Sequence, residues 1–238
     1  IKSISWSNDD MYGWHNRSLW FTLGLKQYDL VVTQKSYNCN PDELPSLGAK
    51  VLFQNKAFEP KVNYPVKSCD TYTCVHDVVF VGAMEEDRLN HLIYLAQNGI
   101  KVHIYGWVKE VKNQIHPNLI VHNRFLFEEE FSAAQGCSKI ALNFLRKMNR
   151  DLQTSRSIEI PASGGFMLAE RTDEHMQLFK EGKEAEFFSS KEELLQKVNY
   201  YLQHDQERLA IAKAGYDRCF KDNYTFENRM RGILNNLF

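Results

Sequence analysis

The segment 140–169 constrains the fold most, because its pattern is that of a complete strand–helix–strand unit. An apolar strand leads into a polar loop, and a helix follows whose first turn Thr154 or Ser155 can cap. Gly164 and Gly165 come at the far end of this helix, where the backbone needs a positive φ or a close approach. A second apolar strand follows, and such a unit is typical of an α/β fold with a parallel sheet.

Four polar residues of this unit are predicted to share one crevice, because ligands of open α/β sheets bind at the carboxyl ends of strands and against helix N-termini. They are Asn143, Asp151, Arg156 and Glu159. Cations are usually found at the other end of a helix, so Arg156 near the start suggests an anionic ligand such as pyrophosphate. The alternative is an ordinary unit with solvated turns and a salt bridge between Arg156 and Glu159, and the pattern alone leaves both open.

The same alternation of strands and helices runs through the rest of the chain. Residues 1–72 give three short strands with helices between them and end in a proline-containing linker. Residues 73–238 begin with a buried strand and are typical of a doubly wound parallel sheet. We therefore predict two α/β lobes. The first is too small for a whole nucleotide-binding domain, which suggests that its N-terminal part is missing.

Glycines are interpreted as helix ends in two further places, because glycine is frequent just past helix C-termini. A helix over 127–134 is expected to stop before Gly136. A helix that starts at Asp205 is expected to run to Gly215.

Composition argues against several classes of protein. The 238 residues carry 29 basic and 30 acidic side chains, a formal net charge of -1, so nothing favours nucleic acid as a partner. No apolar run approaches the roughly 18 residues of a transmembrane helix, and no signal-peptide pattern is seen. We expect a cytoplasmic protein, with peripheral attachment to a membrane or a forming envelope as the alternative.

Cysteines and histidines give no recognisable disulfide or metal pattern. The five cysteines are odd in number and lack C-x-x-C spacing, so reduced and mostly packed thiols are expected. The eight histidines lack H-E-x-x-H or a similar spacing, so no metal site is predicted.

Two strand ends of the second lobe are candidate ligand contacts. Gly82 ends a buried strand and Arg88 follows it, and a glycine turn with a nearby arginine can approach and neutralise a phosphate. Tyr105 and Gly106 end the next strand, just before Trp107, and an aromatic ring there can lie against a nucleobase. For Gly82 and Arg88 the alternative is a tight turn with a surface arginine. For Tyr105 and Trp107 the alternative is that both aromatic residues belong to the core. The pattern does not decide between ligand contact and these alternatives.

Asp9 and Asp10 form the acidic feature of the first lobe, at the end of its first strand. At that position a carboxylate would face the cleft between the lobes and could accept a proton from an acceptor hydroxyl. An Asx-type turn with helix capping explains the same residues. Adjacent carboxylates usually point in different directions, so at most one of the two is expected to be catalytic.

A resemblance to a known family rests on two motifs. Arg156 and Glu159 belong to the segment R-x-x-E-I-P-A-x-G-G, and Phe187 begins the segment F-F-S-S-K-E-E. Both resemble the spore-maturation (CgeB-like) branch of the group 1 glycosyltransferases, two-domain enzymes of the GT-B type. The resemblance covers essentially the whole chain and is stronger in its C-terminal half. It implies a GT-B-like α/β fold with two Rossmann-like lobes, of which the N-terminal one is truncated.

The resemblance also implies an activity. Such enzymes transfer a sugar from a nucleotide-diphospho-sugar, and the sequence does not distinguish UDP-, GDP- and dTDP-sugars, or a glycan, protein or small-molecule acceptor. Basic groups and helix dipoles would stabilise the leaving diphosphate without metal or cofactor, and retention at the anomeric carbon is implied. The alternative is a non-catalytic binding or structural protein of the spore or cell envelope. A Rossmann oxidoreductase is disfavoured because G-x-G-x-x-G is missing.

Residue roles follow from the resemblance. Many retaining GT-B enzymes have two glutamates eight positions apart, the first for the donor sugar and the second for the ribose; here Asp151, one methylene shorter, takes the first position and Glu159 the second. The candidate catalytic residues are Asp9, Asp10 and Asp151. The candidate donor-binding residues are Gly82, Arg88, Tyr105, Gly106, Asn143, Arg156, Glu159, Gly164 and Gly165.

Overall fold

The computed structural model describes residues 1–106 and 116–237, which form two separate parallel β-sheets with helices around them. The first sheet has the order β1-β2-β3, and all its pairings are parallel. Its strands are β1 (Ile4–Ser7), β2 (Leu30–Thr33) and β3 (Val51–Phe53), and the short helix α1 (Leu19–Gly24) lies between the first two along the chain. Trp107 lies outside the described residues.

The second sheet has six parallel strands in the order β6-β5-β4-β7-β8-β9. They are β4 (Val78–Val81), β5 (Val102–Tyr105), β6 (Leu119–Val121), β7 (Ile140–Asn143), β8 (Met167–Glu170) and β9 (Glu186–Phe188). The chain starts in the middle of the sheet, winds outward to β6 and then resumes on the other side at β7. This is the doubly wound order, and its switch point lies between β4 and β7. The predicted fold class is confirmed.

Helices cover both faces of the second sheet. They are α2 (Glu86–Gln97), α3 (Glu128–Cys137), α4 (Arg156–Ala162), α5 (Asp173–Leu178), α6 (Lys191–Gln203), α7 (Asp205–Lys221) and α8 (Phe226–Asn235). Alternate residues of the strands point to opposite sides, so Phe80 joins a core with Leu92 of α2, whereas Val79 joins a core with Ile158 of α4. Such strands are buried on both faces, as parallel strands usually are.

The last helix returns to the first sheet. Ile233 of α8 is fully buried against Leu30 and Val32 of β2, and Trp6 packs beside them. Helix α8 thus belongs to the second predicted segment along the chain but packs on the first. The predicted division into residues 1–72 and 73–238 stays a prediction.

Two glycines expected to end helices lie inside them instead. A Cβ on Gly136 of α3 would sit 2.1 Å from the carbonyl oxygen of Ser163, and one on Gly215 of α7 would sit 2.3 Å from that of Glu184. These glycines let helix and backbone pack closely, so the predicted helix ends at 134 and at Gly215 are wrong.

The end of α4 is as predicted, but its start is not. Gly164 has φ +81°, and a Cβ on Gly165 would sit 2.0 Å from the carbonyl oxygen of Gln135, so both glycines are required by the backbone. At the start, neither Thr154 nor Ser155 caps the helix through its side chain. The backbone N–H of Thr154 instead donates to Ser157 Oγ, at 2.9 Å.

The expectation of reduced cysteines is wrong for one pair. Cys69, in the linker, forms a disulfide with Cys137 at the end of α3, with Cα atoms 5.6 Å apart. The linker folds back along α3, and this brings together two cysteines 68 positions apart, which no local spacing indicates. Reduced thiols therefore no longer support the expectation of a cytoplasmic protein.

In the described part of the chain, no helix is long and apolar enough to cross a membrane.

We expect opposite effects from two glycine substitutions in helices. Gly136→Ala should destabilise the fold by about 1–3 kcal/mol, because its Cβ would overlap backbone. Gly232→Ala in α8, where a Cβ meets no atom within 4 Å, should stabilise it by up to about 1 kcal/mol. Urea midpoints measure both. Equal midpoints for the two variants would contradict the packing of α3 against the end of α4.

Candidate functional site

A cavity of about 240 Å³ lies at the switch point, where the carboxyl ends of β4 and β7 face those of the first sheet. Its charged lining residues are Lys35, Lys56, Arg88, Arg146 and Arg156 as cations and Asp9 and Asp151 as carboxylates. Because five cations face two carboxylates, the cavity is suited to an anion with more than one negative charge.

Asp151 lies on the cavity wall with its carboxylate already bonded. It forms a buried ion pair with Lys35, accepts from Asn149 Nδ2 at 2.9 Å and accepts from the backbone N–H of Arg146 at 3.3 Å. The ion pair joins the loop after β2 to the loop after β7. The predicted contact of Asp151 with a donor sugar stays a prediction.

Lys56 is a cavity cation that the sequence analysis did not identify. Its Nζ donates to Gln34 Oε1 at 2.6 Å, and its side chain is buried. Burial, and then the charge of Lys35, lower the pKa of Lys56 to about 8. Lys35 and Lys56 follow β2 and β3, so the rule that ligands meet strand ends could have found both.

Gly82 and Arg88 both line the cavity, and their predicted contact with the donor phosphates stays a prediction. Arg88 is buried and bridges two loops, with Nη1 donating to the carbonyl oxygen of Ala83 at 2.7 Å and Nε to that of Leu145 at 3.2 Å. Burial lowers the pKa of Arg88. The guanidinium thus holds the ends of β4 and β7 together at the cavity.

Gly106 supports the cavity from behind. Its φ of +139° and a Cβ position 2.1 Å from the carbonyl oxygen of Gly82 mean that only glycine fits beside that turn. It is not among the described residues that line the cavity, so we assign it to the shape of the turn.

Tyr105 is placed differently from the base contact that we predicted. Its side chain is buried, its ring stacks on His122 with centroids 4.1 Å apart, and its hydroxyl lies 2.8 Å from His76 Nε2. The ring face is covered, because Tyr105 points to the face of the sheet that α3 and α4 share. The core alternative describes this residue.

Gly164 and Gly165 do not reach the cavity. They lie at the C-terminal end of α4, whose N-terminal end edges the cavity, and seven helical residues span roughly 10 Å. Gly164 contacts Pro65, and Gly165 packs on Gln135. The predicted donor contact of both glycines is corrected to a packing role.

Arg156 fixes the start of α4 to the end of β4. Its Nε donates to the carbonyl oxygen of Val81 at 3.0 Å, and its guanidinium lies 4.5 Å from the ring centroid of Phe131. It also forms an ion pair with Glu159, which is the alternative that the sequence left open. Arg156 lines the cavity, whereas Glu159 is not among the described lining residues, and its ribose contact stays a prediction.

A buried hydrogen-bond network positions the same helix. Asn143 Oδ1 accepts from Thr154 Oγ1 at 2.8 Å, and Asn143 Nδ2 donates to Ser157 Oγ at 3.1 Å. Ser157 Oγ in turn lies 2.7 Å from Nε2 of His175, a fully buried histidine. Asn143 therefore lines the cavity and also holds α4 in place. Sequence analysis missed His175, because its neighbours along the chain carry no signal of this contact.

The structure separates the two aspartates of the first lobe. Asp10 is buried and accepts from Arg150 and Asn38, and Arg150 also binds Glu43. Burial alone would raise the pKa of Asp10, but the bonds from Arg150 and Asn38 outweigh it and lower that pKa. Asp10 is thus a fixed ion-pair partner, and its predicted catalytic role is corrected. Asp9 lines the cavity and stays the candidate proton acceptor.

Three histidines that the sequence spacing treats as scattered lie side by side. One ring nitrogen from each of His76, His103 and His122 lies within 4.8 Å of the other two. They are separated by 27 and 19 positions in the chain, so a local spacing rule could not find them.

Comparison with known proteins agrees with this fold. The family model for glycosyl transferase-like proteins matches residues 86–235, more than half of the chain. The chain belongs to the glycosyl transferase-like family. By family and fold it is a glycosyltransferase. No curated protein matches it significantly in sequence.

Several solved structures share the fold at low sequence identity. HepE of Anabaena in complex with UDP-glucose has a TM-score of 0.73 at 14% identity, over 98% of this chain and 71% of HepE. Sucrose-phosphate synthase of Thermosynechococcus elongatus has 0.70 at 11% identity, over 99% of this chain and 67% of that one. TarM of S. aureus has 0.71 at 12% identity, over 99% of this chain and 50% of TarM. The chain therefore spans half to about seven tenths of these proteins.

We expect pyrophosphate to bind the cavity less tightly as the pH rises through about 8, the pKa of Lys56. Below that pH Lys56 is charged and attracts the anion, and above it the attraction is lost, so the dissociation constant should rise roughly tenfold between pH 7.5 and 9. Lys56→Arg keeps its charge and should remove most of this slope. Calorimetry measures the pyrophosphate affinity of both proteins at each pH. Because titration of pyrophosphate itself affects both proteins alike, the difference between them reports on Lys56. An unchanged slope in the variant would rule out Lys56 as the titrating group.

Proposed function

We propose that the cavity binds the diphosphate of a nucleotide-sugar and that the protein transfers the sugar to an acceptor hydroxyl. The observation that carries this proposal is the set of five cations around a cavity at the switch point of a doubly wound sheet. Nucleotides bind at such switch points in this class of fold. The complexes of the fold relative HepE with UDP and with UDP-glucose support the donor class.

The cations would stabilise the charge that develops on the leaving diphosphate. Lys56, Arg88 and Arg156 are held in place by protein hydrogen bonds, so they need little rearrangement as the charge grows. Such a set of fixed charges supports transfer without a metal ion at this cavity. Retention at the anomeric carbon belongs to the proposal through the resemblance to retaining enzymes.

Asp9 is the group that we propose to accept the proton of the acceptor hydroxyl. It reaches the cavity from the first sheet, opposite the loops of the second sheet that carry most of the cations. A carboxylate there can act as a general base. The acceptor class, membership of the CgeB-like branch, and a cytoplasmic or envelope-associated location are carried by the resemblance alone.

We expect Arg146→Gln to weaken binding of the nucleotide diphosphate by roughly 10- to 100-fold. Its side chain lines the cavity and is 46% exposed, so the change removes a phosphate contact worth about 1.5–3 kcal/mol at little cost in folding. Calorimetry would use whichever of UDP, GDP or dTDP binds best to the wild type.

Two controls sharpen this measurement. Arg231→Gln removes a cation from an exposed pair with Glu227 on α8, and its affinity should match the wild type. The nucleoside without phosphate should bind Arg146→Gln as it binds the wild type. Equal losses for nucleoside and nucleotide would mean that Arg146 acts on the fold and not on the diphosphate.

We expect Glu159→Ala to weaken the same nucleotide roughly 10- to 100-fold if its carboxylate takes the ribose hydroxyls. Glu159→Gln should lose less, because its amide oxygen still accepts a hydrogen bond. Glu227→Ala, which removes a similar salt-bridged glutamate from α8, is the matched control. The wild type should bind a 2′-deoxyribonucleotide more weakly than the ribonucleotide. Glu159→Ala should bind the two nucleotides with similar affinity. If folded Glu159→Ala binds the nucleotide as the wild type does, the only role left for Glu159 is its ion pair with Arg156.

A further inference from the structure

A cluster of three histidines lies at the edge of the second sheet, outside the cavity. His76 precedes β4, His103 lies within β5 and His122 follows β6, so each comes from a different strand region. All three are half-buried. None of them is among the described residues that line the cavity.

The three rings are close enough to share one ion. Nδ1 of His103 lies 3.0 Å from Nε2 of His122, and the ring of His76 stacks on that of His103 with centroids 3.4 Å apart. Two imidazoles bound to one tetrahedral zinc ion, with Zn–N of about 2.0–2.1 Å, have nitrogens roughly 3.3 Å apart. One nitrogen from each of the three rings lies within 4.8 Å of the others, which is near the spacing that one shared ion requires.

An outer hydrogen-bond partner suits a metal ligand, because it can orient the ligating ring. The hydroxyl of Tyr105, 2.8 Å from Nε2 of His76, can orient that ring as an outer partner.

We propose that His76, His103 and His122 bind one divalent transition-metal ion, of the zinc class, through three imidazole nitrogens. Imidazole ligands favour zinc, copper, nickel or cobalt over magnesium and calcium. The ion would tie the segment before β4 to β5 and to the end of β6. Its role is structural and independent of sugar transfer, and the proposal replaces the sequence-based expectation of no metal site.

Calorimetry with ZnCl₂ tests the site on the full chain, after dialysis against EDTA and then buffer without thiols. We expect one zinc ion per chain. His103→Gln and His122→Gln should each weaken binding at least about tenfold, whereas His204→Gln, on an exposed histidine that stacks on Tyr200, should bind as the wild type does. Absence of stoichiometric binding, or equal losses in His204→Gln, would overturn the proposal.

Two measurements keep the test valid if a cluster variant folds poorly. X-ray absorption of the zinc-loaded wild type should show three imidazoles and no sulfur; a sulfur ligand would assign the ion to a free cysteine such as Cys74 and overturn the proposal. Zinc at about a hundred times its dissociation constant should raise the wild-type Tm by roughly 5–10 °C. Loss of that rise in the cluster variants alone would support the three-histidine site, and an equal rise in them would refute it.

Discussion

Buried charge between the two sheets is the constraint on which the cavity depends. Lys35, after β2, pairs with Asp151, after β7, and both side chains are nearly inaccessible. Two buried ions are costly unless they are paired and fully hydrogen-bonded, and removal of one partner costs about 3–5 kcal/mol. The loop after β7 is therefore held in place by the first sheet as well as by its own strand. The cavity is a joint product of the two sheets.

Arg150 adopts an unfavourable backbone conformation that lets its side chain pair with buried carboxylates. It has φ +47°, a conformation that costs a residue other than glycine on the order of 1 kcal/mol. In return its guanidinium bonds both Asp10 and Glu43, and it stacks 4.2 Å from the ring centroid of Tyr37. The turn lets consecutive residues, Arg150 and Asp151, reach different partners in the loops of the first lobe. One short loop thus joins the lobes and presents Arg146 and Asn149 to the cavity.

Sequence alone could give the strands, because buried parallel strands are short apolar runs and each one is a local signal. The sequence also placed Asn143 and Arg156 at one crevice. This inference needs only the position of a strand end and of the helix start that follows it. The sequence could not give contacts set by distant parts of the chain. The glycine at 136 is needed by Ser163, not by the end of its own helix. The lysines after β2 and β3 can be recognised as strand-end residues, but the ion pair of Lys35 with Asp151 and the shared cavity exist only because the two sheets face each other.

The network behind α4 determines which group gives the site its response to pH. Nδ1 of His175 lies 2.6 Å from the carbonyl oxygen of Glu170, so it must carry the proton, and Nε2 accepts from the hydroxyl of Ser157. Burial lowers the pKa of His175 from 6.5 to about 4, so its neutral form contributes stability above pH 6.5 that is lost as the pH falls toward 4. From neutral pH upward this network keeps one arrangement and holds Arg156 fixed. Lys56, whose pKa of about 8 falls in that range, is then the cavity group whose charge changes while the geometry stays the same.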